Sequence, residues 1–195
     1  MNTSRFLRSA LFTGMALALF VSPVAKAASI NGSFPLSGFT VTKNGADLVA
    51  STTVSLGSTL TSSAGLGDFS PIPSMSSFGP ATLNLSSLVA LAAGFSLNNA
   101  TYGSFVASSA IIIQQSANFL DIYFVGMFTP AAGLPGLDPS AASARISVNE
   151  NGGSLSAGIT LNSPPAGVPE PATFSVVAGG LALLGLAGYR RRAAK

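Results

Sequence analysis

The 195-residue chain has no cysteine, no histidine and no tryptophan, and only 8% of its residues are charged. Each absence excludes something. Without cysteine no disulfide framework exists, so packing alone must hold the fold. Without histidine or cysteine, the common structural zinc sites are excluded, as are Ser-His-Asp and Cys-His catalysis. The formal charge of +3 belongs to the chain ends. Between residues 28 and 168, two bases (Lys43 and Arg145) face five acids (Asp47, Asp68, Asp121, Asp138 and Glu150), a net of −3. No basic patch remains for nucleic acid.

The two ends carry the clearest signals. Arg5 and Arg8 precede an apolar run over residues 10–21, then Pro23 and the small-x-small triplet Ala25-Lys26-Ala27. This pattern reads as a secretory signal peptide, residues 1–27, cut after Ala27. The apolar run is short for an uncleaved anchor. Residues 172–189 carry no charge and are mostly Ala, Gly, Leu and Val. As a helix they would reach roughly 27 Å, close to the hydrocarbon thickness of a bilayer. Arg190, Arg191 and Arg192 follow at once and read as a cytoplasmic basic anchor, because such charge resists translocation. A soluble core helix would need a polar face, and glycines such as Gly179, Gly180 and Gly185 would weaken it in water. With both ends on the cytoplasmic side, everything between them is expected to be exported.

Ahead of the apolar run stands Pro169-Glu170-Pro171. The prolines fix their own φ and push the preceding residues away from the α region, so Glu170 sits on a stiff extended stretch. Such a stretch suits an enzyme that binds extended chain. Together, "VPEPATF", the apolar span and the arginine cluster resemble the PEP-CTERM sorting signal of exopolysaccharide-associated proteins of Gram-negative bacteria. The resemblance covers residues 169–195. It implies recognition by an exosortase, an integral membrane protease of cysteine transpeptidase type. It also implies passage through the secretion machinery, an intermediate held in the inner membrane, and delivery to the outer cell surface or extracellular matrix.

The body, residues 28–162, is rich in Ser, Thr, Ala and Gly, with a Pro/Gly linker at 163–168. Its low net charge and period-two patterns oppose disorder. Leu155, Ala157, Ile159 and Leu161 alternate with polar or small residues, as do Ile146 and Val148, and Glu150-Asn151-Gly152-Gly153 lies between the two runs. This predicts a hairpin. Over residues 119–128, Leu120, Ile122, Phe124 and Phe128 should share one face, with Asp121, Tyr123 and Val125 on the other. Further strands are expected at 110–114, 39–42 and 48–56, the last two around a Lys43-Asn44-Gly45 turn, with weaker candidates at 83–85 and 102–107. Residues 87–93 fit a short helix or a buried strand, while 70–73 and 133–136 read as loops. Many short strands without βαβ alternation predict an all-β antiparallel sandwich or jelly-roll-like domain.

No catalytic motif, cofactor-binding motif or metal-ligand ladder is present, so no catalytic residue, cofactor or metal is expected. Asp47, Asp68, Asp121 and Asp138 are scattered and suit turns better than paired acid–base chemistry. Tyr102 and Tyr123 are the residues to consider for glycan contact, since most of the thirteen phenylalanines suit the core. Three functions follow in order of preference: a non-catalytic exported surface or biofilm matrix protein, a carbohydrate-binding module for exopolysaccharide, and last a glycan hydrolase. The Ser/Thr-rich surface also suits O-linked sugars.

Overall fold

The computed structural model describes residues 28–165, so the expected signal peptide and the PEP triplet, apolar span and arginine cluster lie outside the described residues. The body is built almost wholly of strands: β1 (Ala28–Ser29), β2 (Gly32–Lys43), β3 (Thr53–Thr61), β4 (Leu66–Gly67), β5 (Ala81–Asn84), β6 (Ser96–Asn99), β7 (Gly103–Gln115), β8 (Phe119–Pro130), β9 (Leu137–Asp138), β10 (Ser140–Asn151) and β11 (Ser154–Ser163). Among the described residues there is one helix, α1 (Leu88–Gly94). Ser87 caps it, accepting a hydrogen bond from Ala90 N at 3.1 Å. No helix among the described residues is long and apolar enough to cross a membrane.

Nine strands form one antiparallel sheet in the order β5-β3-β2-β11-β10-β8-β7-β6, with β4 added beside β2. The antiparallel β class is as expected, but these strands share one sheet where two facing sheets were expected. The sheet curls into a nearly closed barrel. The segment carrying Phe78 bridges the seam: Phe78 N donates to Thr59 O, and Phe78 O accepts from Asn98 N. Asn99 Nδ2 donates to Ser77 O in the same seam. Helix α1 covers the rest of the opening, packing on β7 and β5. Closing a sheet in this way removes exposed edges.

The predicted hairpin is β10–β11. Its ladder runs from Asn151↔Ser154 through Ile146↔Ile159 to Ser143↔Asn162. The tight turn is Gly152-Gly153, with φ of 57° and 82°. Both central residues of this turn need positive φ, which glycine adopts at little cost.

Strand β8 also follows expectation. Leu120, Ile122, Phe124 and Phe128 enter the core. Phe34 is the hub of an aromatic cluster there, 4.9 Å from both Phe69 and Phe78, and Phe95 stacks on Phe124 at 4.2 Å.

Other boundaries differ from expectation. Residues 102–107 and 110–114 are not two strands. From Gly103 they belong to the single strand β7, with register shifts at Ala107/Ser109 and Ile112/Gln114. Each shift resets which residues face inward, which hid the continuity from a period-two reading. Gly126 lies opposite the first shift; a Cβ there would sit 2.1 Å from Val106 O, so only glycine fits. Strand β2 starts seven residues earlier than expected and contains Pro35. Ser62 N donates to Pro35 O, so that edge of Pro35 faces the point where β3 has just ended at Thr61, and no ladder donor is missed. Residues 48–52 are not strand. Asp47 Oδ1 accepts from Ala50 N at 2.7 Å, and Asn44 Oδ1 accepts from Thr52 N and Thr53 N. These local bonds hold a loop that drops Leu48, fully buried, into one end of the barrel. Near that end Lys43 Nζ lies 2.7 Å from Glu150 Oε1, tying β2 to the β10–β11 hairpin.

The two ends of the described body meet at the opposite pole. β1 pairs in parallel with β9, Ile30 N donates to Ser140 Oγ at 2.9 Å, and Ser163 Oγ lies 3.1 Å from Ile30 O and 2.9 Å from Ala141 O. Ser163, expected to start the linker, is the buried last residue of β11.

Candidate functional site

The outer surface of the central strands presents two adjacent cross-strand rows. One runs Pro35, Thr160, Arg145, Tyr123, Ile111; the next runs Ser37, Gly158, Ser147, Asp121, Gln114. Arg145 on β10 faces Tyr123 on β8, so Asp121 is its diagonal neighbour, within reach of a long side chain. Arg145 Nε donates to Asp121 Oδ1 at 3.0 Å and Nη2 to Oδ2 at 2.6 Å, a bidentate fork. The Asp121 side chain is only 5% exposed, whereas that of Arg145 is 45% exposed. Bonding to Asp121 raises the Arg145 pKa above its ordinary value, partly opposed by burial. A raised value on a base means that the contribution from charging Arg145 is complete below the ordinary arginine pKa. It is lost only as pH rises past the raised one, so the guanidinium stays charged throughout the neutral range.

Beside this pair is a groove of about 360 Å³ lined by residues including Pro35, Ser37, Ser62, Arg145, Ser147 and Thr160. Its floor is Gly158, where an added Cβ would meet nothing within 4 Å. The volume falls at the lower end of the range of small-ligand sites. A second recess, about 400 Å³, lies between α1 and β7 and is lined by small and apolar residues such as Leu88, Val89, Ala92 and Ala107.

The residues expected to matter lie apart. Tyr102 sits in the β6–β7 turn, half-buried against the core, with its backbone N–H donated to Asn99 Oδ1. Tyr123 is buried at 3% exposure in the middle of β8. Tyr102 O accepts from Ala131 N just past the end of β8, which places the two tyrosines roughly 25 Å apart along that strand. Asp47 and Asp68 hold turns, the latter by accepting from Asn31 N at 2.7 Å. Asp138 lies on β9, and its carbonyl accepts from Ser140 Oγ. Among the described residues no group of three His, Cys, Asp or Glu side chains is placed to hold a metal ion. Asp121 and Arg145 stand 24 residues apart in the sequence, with no shared motif. Their diagonal placement was implicit in the β8–β10 pairing, but the register of two strands separated by 131–139 has no local signal. No family model, curated protein or solved structure matches the chain.

Proposed function

We propose that this chain is a non-catalytic exported protein of the cell surface or biofilm matrix, sorted by its C-terminal PEP-CTERM-like signal and processed by an exosortase. The observation that carries this reading is the ordered tail: Pro169-Glu170-Pro171, the uncharged span 172–189, and Arg190, Arg191 and Arg192. The body suits the part of cargo. Its first strand starts at Ala28, directly after the expected cut, and β1 and the end of β11 lie side by side at one pole. A body fastened at a single pole can be released there without breaking its sheet. Opposite sides of its curled sheet serve as the two facing walls of a sandwich-like domain.

The test replaces Pro169, Glu170 and Pro171 by alanine and fractionates the cells. The body should remain with the inner membrane, while the parent chain reaches the surface or medium. Equal release of both would overturn triplet-dependent processing.

A second reading, glycan binding by the body, is favoured by the hydroxyl-lined groove over Gly158.

A further inference from the structure

We propose that the groove over Gly158 binds a neutral, polyhydroxylated ligand, a segment of uncharged oligosaccharide. The proposal rests on the second reading above, that the body binds glycan, and adds the location and the charge preference. Four features of the groove point the same way.

First, Gly158 removes a side chain from the middle of the outer surface, between Ser37 and Ser147, and leaves open space above the backbone. Second, the hydroxyls of Ser37, Ser62, Ser147 and Thr160 line the groove without hydrogen-bond partners among the described residues. Each can both donate and accept, which matches the same dual capacity of sugar hydroxyls. Third, Arg145 is locked in place. Nε and Nη2 are both engaged by Asp121, which fixes the plane of the guanidinium beside the groove. The fork is already formed, so little side-chain entropy remains to be lost on binding. Fourth, the pair is electrically compensated. An anionic ligand would compete with Asp121 for the guanidinium and meet a nearby carboxylate, whereas a neutral diol disturbs neither charge. Pro35 adds an apolar surface at one wall for the C–H face of a sugar ring.

The experiment uses the full chain in a sugar-free detergent, titrated calorimetrically with cellohexaose, laminarihexaose, maltohexaose and an oligogalacturonate of equal length. The parent chain, Gly158→Leu, Ser147→Ala with Thr160→Ala, and Tyr102→Ala are compared, and thermal melts confirm that each is folded. Gly158→Leu adds a side chain to open space on an outward strand position, so it fills the groove without touching the core. The expected result is binding of at least one neutral hexamer, at least tenfold weaker in Gly158→Leu and in the double hydroxyl variant, and unchanged in Tyr102→Ala. Binding that survives Gly158→Leu overturns the site and leaves glycan binding standing elsewhere. Binding of the oligogalacturonate alone overturns the charge preference. Failure of the parent chain to bind any of the four, or its host's own exopolysaccharide, overturns the glycan reading itself.

Discussion

The two faces of strand β8 are both buried near its start, but for different reasons. On the inner face Leu120, Ile122 and Phe124 are buried by apolar neighbours. On the outer face Asp121 and Tyr123 are each only 3% exposed, and the buried Asp121 carboxylate is paired with Arg145. The inner face gains by removing apolar area from water, and that gain depends little on which neighbour supplies the contact. At Asp121 the outer face holds a charge whose cost is offset, among the described residues, by its pairing with Arg145. Apolar burial therefore tolerates repacking, and the outer pair does not.

Three substitutions sharpen that contrast. Phe34→Ala should have the largest effect, because the ring touches Phe69, Phe78 and Phe128 together. A loss of about 4 kcal/mol is expected, read as a lowered midpoint in chemical unfolding. A loss under about 1 kcal/mol would mean that the aromatic cluster is not the hub of the core. Next, Arg145→Ala should cost about 2 kcal/mol, less than for a fully buried pair because the guanidinium is half exposed to solvent. Adding Asp121→Asn should recover part of that loss, since the stranded carboxylate is then removed. Additive losses in a double-mutant cycle would show that the fork contributes nothing. Smallest, Gly153→Ala should cost about 1 kcal/mol through its positive φ while leaving the fold unchanged. A stabilised variant would mean that the turn does not hold this conformation.

Particular elements show why some of this was legible in the sequence. The β10–β11 hairpin announced itself because a glycine turn and two alternating runs are local signals that tertiary context reinforces. The same holds for the inward set of β8. Leu48 shows the opposite case. It lies in an apolar stretch that reads as strand, yet bonds from Asp47 and Asn44 bend the chain into a loop and send it into the barrel end. β7 reads as two strands in the sequence because its bulges reverse the phase of the alternating pattern. The groove was invisible for a further reason. It is made by Pro35, Ser62, Arg145 and Gly158, which come from distant parts of the chain, and its floor is the absence of a side chain.

The amino-acid order alone determined the antiparallel β class, the facing of β8, the tight turn at Gly152-Gly153 and the expectation of export. Each of these rests on spacing within a short window, where sterics, periodicity and charge act between near neighbours. Tertiary structure decided the single curled sheet, the seam bridged by Phe78, the meeting of both ends of the body at one pole and the Arg145–Asp121 fork. These depend on strand order and register, which are set by the shared burial of residues far apart in the chain and leave no mark on any one stretch of it.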